Sequence, residues 1–326
     1  RDSLYHERYD EALAKVEQIR GLQEKPSDKL LSGLSNMAYI KALKQTNYQK
    51  NQEFYQLFAQ NFSELINDLP WEVVQDDVEG TKGTLEIYSE NLALGLIKES
   101  IDPGVAKTGS ISDDNASTLV NMNYVVNHVL PVKDHMIKAY EAYIAANKVE
   151  KPDIWADREV DLSNESNLEP VIIAIWDSGI DVPIFENQVH VNPNEKMDGK
   201  DSDGNGFVDD VHGIAFDLKG YKTEEILYPL TSEQEEKLPE MVGMVKGLQD
   251  LQANVSSDEA SELKKYMSQI KPEDVKPFIE ELNLFGNYAH GTHVAGIAAA
   301  GNPKAVVLPA RITFDYRMVP DPPTKE

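Results

Sequence analysis

Cysteine is absent from the 326 residues. That absence excludes disulfides, thiolate metal sites, iron–sulfur clusters and a cysteine nucleophile together. Long apolar runs are missing too. The most apolar stretch, Val171-Ile-Ile-Ala-Ile-Trp176, falls far short of the roughly 20 residues that a helix needs to cross a bilayer. Positive charge is scarce: 31 Lys and Arg stand against 56 Asp and Glu, a formal balance of −25. Such a surface is repelled by a phosphate backbone and by an anionic bilayer, which argues against nucleic acid and membrane as partners. Neither an internal repeat nor a low-complexity tract occurs. The chain opens Arg1-Asp-Ser-Leu, without methionine or an apolar signal core. The expectation is a processed chain whose export signal has been cut away.

The remaining composition is that of a folded protein, with 41% hydrophobic and 27% charged residues, and the length suits about two domains. Residues 1–150 read as a mostly α-helical leading domain. Tyr9, Ala12, Leu13 and Val16 form one apolar stripe at helical spacing, continued by Ile19. Tyr55, Leu57, Phe58, Phe62, Leu65 and Ile66 form a second, which Pro70 ends. A third segment, 117–147, carries Val126, Val129, Ile137, Tyr140 and Tyr143, and Pro131 should kink or split it. Glu79-Gly-Thr-Lys-Gly83 and Gly109–Asp114 read as turns. Residues 151–169 are polar and read as a linker.

From Pro170 the pattern becomes that of an α/β domain, a parallel sheet covered by helices. Val171–Trp176, ending in Asp177, is a continuous apolar run of the kind expected for a strand buried on both faces. Residues of about 218–284 read as a helical insertion, with Ser232 and Glu235 as a capping box and Ser257 opening another helix. Val294–Ala300 should make a compact helix, capped by Gly301 and stopped by Pro303. Ala305–Ile312 is a second buried strand. A strand–helix–strand order implies parallel pairing.

Two segments carry chemistry. Asp177-Ser-Gly-Ile-Asp181 follows the first strand, where functional groups of open α/β sheets collect. His290-Gly-Thr-His-Val-Ala-Gly296 opens the compact helix. A histidine base with an aspartate that fixes its tautomer is the pair that activates a hydroxyl nucleophile. Gly291 allows close approach, and Gly296 with the alanines lets the helix lie tight on its neighbours. His290 and His293 have a spacing that also suits zinc, but the glutamate of His-Glu-x-x-His is missing, and His293 reads as structural.

Together these segments, in this order, resemble the aspartate and histidine motifs of the subtilisin-like serine peptidases. The resemblance covers about 170–312, less the insertion. It implies that 170–326 is the front part of such a peptidase domain, with Asp177 and His290 catalytic and a polypeptide as substrate. It further implies a secreted or periplasmic location and no cofactor for the chemistry. The family's Gly-Thr-Ser-x-Ala motif is not in this chain, and no serine follows Ser268. The nucleophile is therefore expected beyond Glu326, and the chain alone is expected to be inactive. The rival is a non-enzymatic binding protein on a degenerate peptidase fold.

A third segment, Asp198–Asp210, alternates acids and glycines as a hard cation requires. With Asp201 as position 1, Asp203, Asn205, Gly206 and Asp209 fall at positions 3, 5, 6 and 9 of a calcium loop, while position 12 is His212. Asp201, Asp203, Asn205 and Asp209, with the Phe207 carbonyl, are the candidate ligands of one structural Ca2+. A solvated loop of Asx turns is the alternative.

Overall fold

The computed structural model describes residues 1–149 and 158–319. The chain divides into two compact units, Arg1–Glu150 with Lys246–Lys276, and Lys151–Val245 with Pro277–Glu326. Residues 246–276, read from the sequence as part of an insertion in the second domain, thus belong with the leading residues. Part of the expected linker, 150–157, lies outside the described residues.

The first unit is helical. Helix Gln52–Asn67 begins where Asn51 accepts the Phe54 N–H at 3.0 Å, satisfying one of the free donors of its first turn. It places Phe54, Phe58, Phe62 and Ile66, four residues apart, on one fully buried face. Against them pack Val74 and Val78 of helix Trp71–Ile87 and Tyr140 and Tyr143 of helix Lys133–Asn147. The Tyr143 hydroxyl donates to the Leu69 carbonyl at 2.7 Å, so a deeply buried ring keeps its polar tip paired. Helix Tyr9–Leu22 buries Ala12 and Val16, but Ile19 is exposed and the expected stripe stops short of it.

Pro131 does break its segment. Helix Asp113–Tyr124 passes through a π turn, Val125–Val129, and a 3-10 turn, Leu130–Val132, before Lys133–Asn147 resumes the α-helix. The turn expected at Glu79–Gly83 is instead helical. Gly83 is there for space: a Cβ on it would stand 2.1 Å from the Leu251 carbonyl oxygen. Ser257 caps its helix as expected, accepting from Ala260 N–H at 3.0 Å. The capping box at the preceding helix uses Thr231 and Gln234 rather than Ser232 and Glu235. The Gln234 N–H bonds Thr231 Oγ1, and the Thr231 N–H bonds Gln234 Oε1.

The second unit holds a four-stranded sheet built from β1 (Val171–Asp177), β2 (Ile214–Phe216), β3 (Lys222–Thr223) and β4 (Ala305–Arg311). Their order is β1-β4-β2-β3. β1 and β4 are parallel along their whole length, with Val171 opposite Ala305 and Asp177 opposite Arg311. β2 also runs parallel to β4, but β3 is antiparallel to β2, so the sheet is mixed rather than purely parallel. The expected α/β class is compatible with this arrangement.

β1 is an edge strand, which changes its burial. Ile175 is buried, whereas Ile172 and Trp176 are 57% and 76% exposed. The continuous apolar run had implied burial on both faces. Helix Val275–Ala299 contributes Ala295 and Ala299 to the core with Ile175, Ile180, Ala305 and Val307. Gly301, at φ +70, ends this helix region in the left-handed conformation expected of it. Among the described residues, no helix is long and apolar enough to cross a membrane.

Candidate active site

Asp177 is the last residue of β1. Its carbonyl accepts the Ile312 N–H at 2.8 Å, which ties the strand end to the end of β4. The chain then turns at Ser178-Gly179, with Gly179 at φ +123, a conformation that L side chains rarely adopt. On the facing helix stands His290. Its Nδ1 lies 2.7 Å from Asp177 Oδ1, although 113 positions separate the two residues. An ionised carboxylate only accepts, so Nδ1 carries the proton and donates. Nε2 is then the basic nitrogen. The imidazole is 61% exposed while the carboxylate is only 16% exposed, so the base faces outward from a sheltered anchor.

The same carboxylate oxygen accepts twice more, from the Ser178 N–H at 2.7 Å and the Ser178 hydroxyl at 3.0 Å. Partial burial pushes the Asp177 carboxyl upward. The Ser178 N–H, the His290 N–H and the Ser178 O–H together outweigh burial and hold it below its ordinary range. The site therefore keeps its orienting charge at neutral pH.

Three further contacts lock the two motifs together. Ser178 Oγ accepts the Gly291 N–H at 3.1 Å, in a buried setting. The Thr292 hydroxyl accepts the Asp181 N–H at 3.0 Å. A Cβ on Gly291 would lie 2.3 Å from the Gly179 carbonyl oxygen and 3.2 Å from the Asp177 Cβ. Gly291 is thus the residue that permits the approach on which the Asp177–His290 bond depends. Gly296 has no such role: a Cβ there would meet open space, and the close packing expected of it falls to Ala295 and Ala299.

The turn is braced from behind by Arg311, whose side chain is buried beneath it. Its guanidinium donates to the carbonyls of Glu225 and Leu227 and to Thr313 Oγ1. Between them, the Ile226 carbonyl accepts the Ile180 N–H at 3.1 Å. Burial pulls the Arg311 pKa downward, against the attraction of Glu225, Tyr228 and Asp217.

Two expectations about the histidines fail. His290 sits in the interior of Val275–Ala299, not at the amino end of a helix that its motif opens, so it lies far from the positive end of the helix dipole. The reason is that Val275–Leu284, read as the end of the insertion, continues without a break into the histidine motif. His293 is exposed, and no hydrogen bond holds it among the described residues. Ser178 and Thr292 lie within the two motifs and Arg311 within the second strand, but nothing in their spacing announced their bonds.

In the acidic loop the oxygens of three expected calcium ligands are engaged by the loop's own N–H groups. Asp201 accepts from Gly204, Asn205 and Gly206, and Asp209 from Asp198 and Gly199. Asn205 Oδ1 accepts from Phe207. Lys222 Nζ donates to the Gly206 carbonyl at 2.7 Å and lies 3.9 Å from the centre of the Phe207 ring, bringing a positive charge to that side of the loop. The acids whose oxygens lie within 4.8 Å of one another are Glu195, Asp203 and Asp210, and only Asp203 belonged to the expected set. Glu195 precedes the alternating pattern and carried no signal in its spacing.

No protein-family model matches this chain, and neither does any curated protein or solved structure.

Proposed function

We propose that residues 170–319 contribute the aspartate and histidine of a serine peptidase of the subtilisin-like type, acting on polypeptides. The observation that carries this proposal is the 2.7 Å bond from His290 Nδ1 to Asp177 Oδ1, with the far side of the imidazole open. The nucleophile comes from a segment outside these 326 residues. Ser178 does not supply it, because its hydroxyl is committed to Asp177 and Gly291.

In the proposed reaction, His290 Nε2 takes the proton of the incoming serine hydroxyl as its oxygen attacks the peptide carbonyl. Asp177 holds the ring in the productive tautomer and stabilises the imidazolium that forms. His290 then gives the proton to the leaving amine, and an acyl-enzyme remains. Water, deprotonated by the same nitrogen, releases the acid product. Oxyanion donors also lie outside this chain, so the chain alone should not hydrolyse peptides. A location outside the cytoplasm belongs to the same proposal.

The test is labelling by a serine-directed fluorophosphonate. The longest product of the gene should be labelled, and the 326-residue chain should not. A gene whose product contains no reactive serine would overturn the proposal and leave a binding protein on a peptidase-like fold.

A further inference from the structure

We infer that the leading unit carries a binding site for a small hydroxyaromatic molecule, in the cavity beside the Val125–Val129 π turn. The site is independent of the Asp177–His290 pair and of the peptidase reading. The cavity measures about 490 Å3, within the size range of small-molecule sites. Tyr5, Leu119, Val120, Tyr124 and His128 line it, together with Arg1. Its walls are thus mostly aromatic and aliphatic with few polar groups, which is the composition of pockets that bury a flat apolar ligand. Tyr5 and Val120 are 68% and 54% exposed, so two of these apolar walls still face water. The Arg1 guanidinium stands 5.4 Å from the centre of the Tyr124 ring and disfavours a cationic ligand.

The polar point of the cavity is His128. It lies in the π turn, a helix distortion that recurs at functional sites. Its ring stacks on Tyr124, with centres 5.5 Å apart and planes at 11°, and the Tyr39 ring also stands 5.5 Å away. Tyr124 is itself fixed, since its hydroxyl donates to Asn36 Oδ1 at 2.6 Å. The imidazole is therefore oriented before any ligand arrives. Burial lowers its pKa and the charge of Lys50 lowers it further, against the pull of the Tyr124 carbonyl, so the ring is neutral at pH 7. A neutral imidazole has one donor and one acceptor nitrogen. Nδ1 is buried without a hydrogen-bond partner, and Nε2 makes no hydrogen bond among the described residues. A hydroxyl both donates and accepts, so it satisfies whichever role Nε2 offers, while the aromatic rings that carry it lie against Leu119, Val120 and Tyr124.

The experiment is titration of the 326-residue chain with 2-naphthol and with naphthalene, which has the same rings without the hydroxyl, each followed by its own fluorescence. Saturable binding of 2-naphthol is expected, about tenfold tighter than that of naphthalene, as one hydrogen bond provides. His128→Phe keeps a stacked ring but removes both nitrogens. It should reduce the preference for 2-naphthol to within about twofold and leave naphthalene binding nearly unchanged. Val120→Trp should weaken both probes about tenfold or more by filling the space they need. Val120 is more than half exposed, so this variant keeps the test valid if His128→Phe does not fold. Absence of saturable 2-naphthol binding, or equal affinity for the two probes, would overturn the inference. So would a tenfold preference that persists in His128→Phe, or 2-naphthol binding that Val120→Trp leaves unchanged.

Discussion

Gly291 approaches Gly179 so closely that a single added carbon would stand 2.3 Å from the Gly179 carbonyl oxygen. The two glycines belong to the two motifs, and their contact lets Asp177 reach His290. Backbone is what the added carbon would meet, so it cannot be relieved by turning a side chain. Gly291→Ala should therefore cost about 1–3 kcal/mol or more and lengthen the Asp177–His290 bond. Gly296→Ala, a change of the same type in the same helix, should stabilise by about 0.5–1 kcal/mol, since its Cβ enters open space and glycine is a poor helix former. Denaturant melts of the two variants check the contrast.

The charge state of Asp177 gives a pH dependence with a definite sign. Its pKa is lowered on folding, so the stability it contributes is present above the ordinary aspartate range and is lost as pH falls through the lowered value. Melting temperature should fall below about pH 4, and Asp177→Asn should show a shallower fall over that range. Ser178→Ala removes one of the three donors to Asp177 and one further contact at once. It deletes the hydroxyl that donates to Asp177 and leaves the buried Gly291 N–H without its acceptor. A loss of about 1–3 kcal/mol at neutral pH is expected, and the acid limb should move toward higher pH.

In the leading unit, Phe58 is fully buried and stacks on Phe62 with ring centres 5.7 Å apart. Phe58→Ala should cost about 3–5 kcal/mol by opening a cavity. Leu22, at the end of its helix, is 82% exposed, and Leu22→Ala should change stability by no more than about 0.5 kcal/mol. Urea titrations of both variants would show the difference.

The sequence made some of this legible for identifiable physical reasons. Side chains four apart on a helix share a face, which is why Phe58, Phe62 and Ile66 could be read as core. The parallel pairing of β1 with β4 followed from their apolar runs and the helix between them. Asp177 and His290 could be named because their motifs are contiguous. What escaped was whatever depends on neighbours distant in the chain. The apolar run of β1 gave no hint that its partner lay on one side only, leaving Trp176 exposed. Short strands such as Ile214–Phe216 and Lys222–Thr223 have too few residues to show a period. The unbroken helix from Val275 through His290 was missed because the insertion was read as ending near 284 and the compact helix as opening at the histidine motif. The acids of the loop were counted by position, whereas the fold spends Asp201 and Asp209 on backbone N–H groups and brings in Glu195 from outside the pattern.

In the proposed mechanism His290 is the base that Asp177 orients. The most direct measurement is kcat on a peptide substrate for the longest product of the gene, compared with its His290→Ala and Asp177→Asn variants. The expected result is a fall of roughly four to six orders of magnitude for His290→Ala and roughly four for Asp177→Asn, with little change in KM. Turnover by His290→Ala within about tenfold of the unaltered protein would contradict it.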